Sequence, residues 1–546
     1  MISTYNLKDM EVLMDNKSSN GSKLAKSTLA LVIFSLIGKI FGFFRESLTA
    51  NVFGTTVEMS AYSLAQAATA MIAGFVTNSI ATTFIPALQK AEQDLGSERK
   101  NYFTNNLMAI SSVVSIILIL LGWYFPKQLA FLTASKASPE TFKIVVRLIQ
   151  LGMPVVIFSC WVGVFTGYLQ YGGKFAATGA ISIPLNLVYI VYLMIFSHHI
   201  GIVGLTLASV FGALAQFLFL LPGSFKLGYR PQLIFDLKDK YVREAIELSL
   251  PVLVSVSVND INTAVNRSLA SGMGDKAPSI LYFSNKMNTL FIGIFIAAIT
   301  AIIFPILTRS FGKGNIEYGK KVMNASIKST LFLTVPATIG MIILARPLIE
   351  IAFVHGKFTA LDGVRATSTL RFYSLSLISI SLTNVLNRIY YSLHDTKTPF
   401  FIGVINVVIN VGLNLLVAHK FGTDGLACAV SVATTCAVLM GFYLLRKKIG
   451  NLGTKSYIKA LVKTLMASSA MGLVACIYFP LENLLALISS GGLFTLLRLI
   501  LLMIVVFIAA IIYLIILYYL GVREIRDLTH IFKEKLQTRK LKNINK

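Results

Sequence analysis

Apolar runs of about twenty residues recur along the whole of this chain, and that recurrence limits the folds open to it, because about twenty residues of helix cross the roughly 30 Å hydrocarbon core of a bilayer. The runs show no alternation of polar and apolar residues, so a β-barrel is excluded. Hydrophobic residues make up 55% of the 546 positions and charged residues 13%, against about 25% charged in a soluble domain. The chain reads as an all-α polytopic membrane protein.

About fourteen transmembrane helices are expected by length and hydropathy. They fall near 27–54, 61–88, 105–125, 141–170, 176–197, 200–222, 243–270, 277–307, 324–345, 365–393, 398–420, 424–445, 457–479 and 494–520. We call them spans 1 to 14. The 9–10 connection, RPLIEIAFVHGKFTALDG, has room for an interfacial helix.

The connecting loops sort by charge. Lys226, Arg230, Lys238, Lys240 and Arg243 crowd the 6–7 loop. Arg309, Lys313, Lys320, Lys321 and Lys328 crowd the 8–9 loop, and Arg446, Lys447, Lys448, Lys455 and Lys459 the 12–13 loop. The 1–2, 5–6, 7–8 and 13–14 loops carry almost none. The positive-inside rule then places both termini in the cytoplasm. The net charge of +25 is read as topology and contact with anionic lipid headgroups, not as a nucleic-acid surface. A polar tail, 1–26, precedes the first span, and a basic tail, 521–546, follows the last.

The chain also matches itself at a shift of about 220 residues, the mark of an internal repeat. Ser47-Leu48 pairs with Ser268-Leu269, Tyr62 with Tyr282, Pro86 with Pro305, Arg147 with Arg371, Tyr168 with Tyr391 and Lys174 with Lys397. Gly201 and Gly204 of GIVGL pair with Gly422 and Gly425 of GTDGL. Any one pair is at chance level; an ordered series is not. The unit is six helices, an even number, so both copies begin on the same side and the repeat is parallel, its pseudo-two-fold axis along the membrane normal. Two six-helix lobes follow: an N-lobe over 27–222 and a C-lobe over 243–445, joined by a basic loop at 223–242. Two further helices, over 446–520, lie outside the repeat. Substrate sites in such folds lie near midplane between the lobes.

Span 1 carries Lys39, Arg45 and Glu46 inside SLIGKIFGFFRESLTANVFG. A charge at bilayer depth costs at least about 2.5–3.5 kcal/mol on insertion scales and is kept where it faces protein or a wet cavity. Two cations on one membrane helix suggest a cavity that receives an anion. Lys286 lies in LYFSNKMNTLF of span 8, and its repeat partner is Gln66, so duplication alone does not explain its charge. We read Lys39, Arg45, Glu46, Arg267 and Lys286 as the substrate-binding set, Arg offering phosphate a planar fork and Lys a point charge. Snorkelling to the interface, or a structural Arg45–Glu46 pair, is the competing explanation. Arg147 and Arg371, nearer span ends and equivalent in the two lobes, read as scaffold.

Asp260, in SVNDINTAVNR of span 7, is an anion at depth. Asn410 and Asn414 are i,i+4 neighbours on span 11, and carboxylate and amide oxygens suit a hard coupling cation. Interhelical hydrogen bonding explains the same residues equally well. No nucleotide-binding GxxxxGK[ST] segment is present, and no catalytic triad or paired carboxylates are visible. The four cysteines sit in apolar runs with no CxxC pair and read as small buried hydrophobes. A transporter is expected, not an enzyme, driven by membrane potential or an ion gradient. A drug or cation antiporter would want an acidic cavity; a non-transporting scaffold would have no reason to keep intramembrane charge.

The stretch GKIFGFFRESLTANVFGTT, followed by AYSLAQ and FIPALQKA, resembles the opening of the MurJ/MviN family, lipid II flippases of the multidrug/oligosaccharidyl-lipid/polysaccharide exporter superfamily. NRSLASGM, LYFSNKMNTL with FPILTRSF, HGKFTALD and YYSLHDTKTP extend the resemblance along nearly the whole chain. It implies a V-shaped two-lobe fold in the bacterial inner membrane. It also implies alternating access that exports undecaprenyl-pyrophosphate-linked peptidoglycan precursor, with cell-wall synthesis or division proteins as possible partners. By position, the family's cavity cations fall on Lys39, Arg45 and Lys286, and spans 13–14 on a groove for the lipid tail. A sodium site of some members falls on Asp260, Asn410, Asn414 and Thr434. Many members carry Arg at the positions of Lys39 and Lys286 and a basic residue at that of Ala73. An acidic residue usual near Ser60 is replaced here by Glu58. These departures leave open another polyprenyl-linked glycan as substrate.

Overall fold

The structure, a computed structural model, describes residues 19–293, 316–393, 395–488 and 491–522. Every regular element among them is helical. Span 1 is Ser19–Phe53, so part of the expected polar tail is already helix, and span 2 is Val57–Leu95. The basic tail from 523 onward, Arg309, Lys313 and the FPILTRSF segment lie outside the described residues.

Capping chemistry sets several of the helix starts. Thr56 accepts from the Met59 amide at 3.3 Å to open span 2. Asp239 accepts from the amides of Tyr241 and Val242 at 3.0 and 2.9 Å to open span 7, Lys240–Ser271. Thr359 and Asp362 form a reciprocal capping box at the start of Ala360–Ser374. Each satisfies amides that have no partner inside their own helix.

Two expected boundaries are absorbed into long helices. Phe175–Lys226 covers spans 5 and 6 in 52 residues, and Lys397–Ile449 covers spans 11 and 12 in 53. At 1.5 Å per residue either would be roughly 80 Å long, far more than one bilayer. Each is broken by a glycine with non-helical dihedrals: Gly201 at φ 62°, ψ −147°, and Gly422 at φ 56°, ψ −135°. These are the repeat-matched glycines of GIVGL and GTDGL, and nearly the same dihedrals recur at both. Span 4 is likewise two helices, Pro139–Gly152 and Val155–Tyr171, bent by 44°. Span 10 divides into Ala360–Ser374 and Ser376–Ser392. The 9–10 connection holds a short helix, Ala345–Phe353, as expected.

Among the described residues, seven helices are long and apolar enough to cross a membrane, eight with the bent pair. The expected spans outside that set include 1, 7, 8 and 10, which carry Lys39, Arg45, Glu46, Asp260, Arg267, Lys286 and Arg371.

The main apolar core crosses the boundary between lobes. Phe53, Leu64 and Leu148 of the N-lobe share one buried cluster with Phe283, Phe353 and Phe358 of the C-lobe. At the opposite end of the lobes, a row of asparagines clamps the interlobe linker onto span 3, Ser97–Tyr124. Asn105 donates to the Arg230 carbonyl at 2.8 Å, Asn106 donates to the Asp236 carbonyl at 2.8 Å, and the Asp236 amide returns a bond to Asn106 at 2.7 Å. The two C-terminal helices dock on span 9, where Tyr513 donates to the Phe332 carbonyl at 2.6 Å. Arg498 of the last helix bridges Glu350 and Glu482.

The paired bends yield a stability prediction. A side chain at a glycine-only conformation costs about 1–3 kcal/mol, so Gly201→Ala and Gly422→Ala should each lower the melting temperature of the purified protein. Gly412→Ala, in a helix with open space around it, should leave it unchanged or raise it, since Ala is the better helix former. Equal melting curves for all three would remove the bends as conformational requirements.

Candidate functional site

Span 1 and the helix over 277–293 run antiparallel along the seam between the lobes. Glu46 is the point where they meet. It is 6% exposed, and its carboxylate pairs with the neighbouring Arg45. From the other lobe the Tyr282 hydroxyl donates to Glu46 Oε2 at 3.1 Å, and Lys286 Nζ stands 3.7 Å from Oε1. Two cations and a phenol thus converge on one carboxylate. A buried charge is tolerable when it is paired and its remaining lone pairs are satisfied.

A shelf of tyrosines supports the cluster. The Arg45 guanidinium lies 4.7 Å from the centre of the Tyr189 ring, and the Tyr189 and Tyr62 hydroxyls are 3.0 Å apart. Gln66 donates to the Tyr62 hydroxyl at 3.2 Å. Lys286 lies 4.9 Å from the Tyr282 ring. Gln66 and Lys286 are repeat-matched, as are Tyr62 and Tyr282, so the same i,i+4 contact recurs in each lobe with an amide in one and a cation in the other. Tyr62, Tyr189 and Tyr282 carry no charge, so charge at depth does not mark the shelf. The pairing of Tyr62 with Tyr282 was its one signal in the sequence.

The other expected site residues divide. Lys39 reaches the same seam two turns earlier on span 1: a Cβ on Gly293 would lie 2.2 Å from its Nζ. Arg267 is buried in the C-lobe, donating to the Pro278 carbonyl at 3.0 Å with its guanidinium 5.5 Å from the Tyr282 ring. Asn410 and Asn414 are fully buried and bonded to each other, and Asn414 also donates to Asn266 of span 7 at 2.7 Å. Thr434 donates to its own helix, at the Val430 carbonyl. Asp260 faces span 2, where its Oδ2 would stand 3.2 Å from a Cβ on Gly74. No hydrogen bond joins it to Asn410 or Asn414 among the described residues, and Oδ2 is buried without a hydrogen-bond partner. Ala73 lies in the apolar core, and Arg371 donates to the Ile342 carbonyl at 3.3 Å.

The lobes close on one another at the end opposite the basic loops. The Lys357 amide donates to the Asn51 carbonyl at 3.0 Å, His355 Nε2 lies 3.3 Å from the Ser47 hydroxyl, and the Ser135 and Ser268 hydroxyls are 2.6 Å apart. Asp362 ties this end together. Burial alone would raise the pKa of its carboxyl, but hydrogen bonds from Thr359, Thr55 and Lys276, with the Lys276 charge, outweigh it and hold the group below its ordinary value.

Glu46 therefore has a structural load separable from any ligand. Glu46→Ala leaves the buried Arg45 and the part-exposed Lys286 without their shared acceptor, and breaking a buried pair on one side costs about 3–5 kcal/mol. Its melting temperature should fall well below that of Lys286→Ala, which keeps the Arg45–Glu46 pair and removes a side chain already 36% exposed.

Residues 49–490 match the family model described as Lipid II flippase MurJ. The probable lipid II flippase MurJ of Vibrio cholerae is 29% identical, the match covering 75% of this chain and 81% of that protein. The counterpart from Thermotoga maritima is 26% identical over 82% of this chain and 89% of its own length. A solved structure described as lipid II flippase MurJ in an inward closed conformation covers 89% of this chain and 98% of its own, with a TM-score of 0.71 at 22% identity. An inward-facing multidrug resistance MATE family transporter covers 78% of this chain with a TM-score of 0.66. A family model that spans most of the chain, over a fold with charge buried between two lobes, identifies this multi-pass membrane protein as a member of the MurJ family.

Proposed function

We propose that the chain flips lipid II, or a closely related polyprenyl-pyrophosphate glycolipid, from the inner to the outer leaflet by alternating access. The observation that carries this reading is the Glu46 cluster, where each lobe contributes a cation to one buried carboxylate. Without substrate, Glu46 serves as the anion that Arg45 and Lys286 require. A pyrophosphate entering from the side of the basic loops meets Lys39 first, two turns earlier on span 1, and then Lys286, the more open of the central pair. It then competes with Glu46 for the Arg45 fork. Substrate thereby replaces a contact that crosses the lobe boundary, and a ligand shifts a two-state equilibrium by its difference in affinity for the two states. The membrane potential acts on the same cations, at about 2.3 kcal/mol per charge per 100 mV. The apolar flank of the last helix, with Met503 and Phe507 exposed, suits the lipid tail.

The decisive test is complementation in cells depleted of their own lipid II flippase, with lipid II measured in the outer leaflet. Wild-type protein should restore growth and outer-leaflet lipid II. Arg45→Ala and Lys286→Ala should not, at normal expression. Arg45→Lys should be more damaging than Lys39→Arg, because one loses the planar fork and the other gains it. Transport by both alanine variants would move the site elsewhere and leave the cluster as scaffold. Failure of wild-type protein to export lipid II, with export of another polyprenyl-linked glycan, would retain the mechanism and change the cargo.

Sodium is the second element of this reading. Of the expected set Asp260, Asn410, Asn414 and Thr434, Asp260 Oδ2 and Asn414 Oδ1 are buried oxygens without hydrogen-bond partners, the donor type a hard cation takes. If sodium binds among them, the melting temperature should rise with sodium and not with choline at equal ionic strength, and Asp260→Asn should abolish the difference. A melting curve indifferent to sodium would leave the membrane potential as the drive.

A further inference from the structure

A cavity of about 1270 Å³, its lining part apolar and part charged, lies between the lobes at the end opposite the basic loops. Arg45, Glu46 and Lys286 do not line it. Its N-lobe wall is the start of span 2, with Glu58, and the start of span 4, with Glu140. Its C-lobe wall brings Lys276, Arg365 and Lys420, with Asp275 and Asp424.

Hydrogen bonding sorts these charges. Asp275 accepts from Ser138 at 3.0 Å and from Thr141 at 3.2 Å. Asp424 accepts from Thr369 at 2.7 Å and from Ser368. Lys276 is committed to Asp362 at 3.1 Å. Glu58, Glu140, Arg365 and Lys420 remain, all four exposed. Among the described residues, the N-lobe wall therefore offers two free carboxylates, and the facing wall offers two free cations beside the hydroxyl-held carboxylates of Asp275 and Asp424. The volume exceeds the roughly 300–1,000 Å³ of a drug-sized pocket, which leaves room for a peptide of several residues.

We propose that this cavity receives a zwitterionic peptide, its amine at Glu58 and Glu140 and its terminal carboxylate at Arg365 and Lys420. Within the lipid II reading, on which this assignment rests, the ligand is the peptide stem of the delivered headgroup. The stem carries a free amine on its diamino residue and a C-terminal carboxylate. Because the two walls belong to different lobes, a bound stem bridges them and favours the lobe arrangement seen here.

The test uses full-length protein in nanodiscs and a soluble muramyl pentapeptide that lacks both lipid and pyrophosphate, titrated by calorimetry. Wild-type protein should bind it saturably. Glu58→Gln combined with Glu140→Gln should weaken binding by about tenfold, the scale of one lost charge-assisted contact, and should not change binding of the same peptide acetylated on its amine. Arg365→Gln combined with Lys420→Gln should weaken both peptides. Both double variants should also slow export of lipid II. Arg45→Ala should bind the soluble peptide as wild type does while losing export, which separates this site from the Glu46 cluster. Absence of saturable binding, or binding indifferent to both wall variants, overturns the site and leaves the flippase reading standing. Normal lipid II export by variants that no longer bind peptide would make free peptide the ligand and overturn the assignment to the headgroup.

Discussion

The arrangement of the lobes depends on one carboxylate at bilayer depth. Glu46 cannot be left unpaired there, and its partners come from both halves of the molecule: Arg45 beside it on span 1, Tyr282 and Lys286 from across the seam. A hydrophobic contact between lobes could be exchanged for lipid at little cost, because lipid tails are as apolar as leucine. A charge pair cannot. The lobe boundary is thus held at its centre by an interaction that only another ion can replace, while the apolar core around Phe53, Phe283 and Phe358 supplies shape.

Much of this was legible in the sequence because membrane helices leave strong marks. The twenty-residue runs gave the helices, and the repeat gave the lobes. The paired glycines of GIVGL and GTDGL proved to be two copies of one bend, both at positive φ. Hydropathy could not show that spans 5 and 6, or 11 and 12, meet directly at a single broken residue with no loop between them. An apolar stretch reads the same on either side of a kink, and only the backbone dihedrals of Gly201 and Gly422 make the break.

The candidate site was half legible. Charge at depth picked out Arg45, Glu46, Lys286 and Lys39, which share the seam. Arg267 carries the same signal, yet its guanidinium is spent on the Pro278 carbonyl and the face of Tyr282. Residue type gives the depth of a charge, not the direction its side chain takes around the helix. The tyrosine shelf was hidden for the opposite reason: Tyr62, Tyr189 and Tyr282 look like ordinary aromatic packing until their hydroxyls are located. The asparagine clamp on the linker was missed because Asn105 and Asn106 stand at the start of a span, where polar residues are unremarked.

The two closures between the lobes differ in chemistry, and the difference sets which one can be regulated. At the end away from the basic loops the contacts are mostly neutral: the Lys357 amide on the Asn51 carbonyl, Ser135 with Ser268, Ser47 with His355. Each such bond contributes a net of about 0.5–1.5 kcal/mol, and water can replace it as the lobes part. The central contact at Glu46 is buried on the side of Glu46 and Arg45, and two of its three partners, Arg45 and Lys286, are charged. Parting the lobes there without a substitute anion would strand Lys286 at depth. An anion standing in for Glu46 would remove that penalty; a neutral group would not. The neutral contacts at the end away from the basic loops are thus ones that water can replace, and the charged contact at Glu46 is the one that needs another anion.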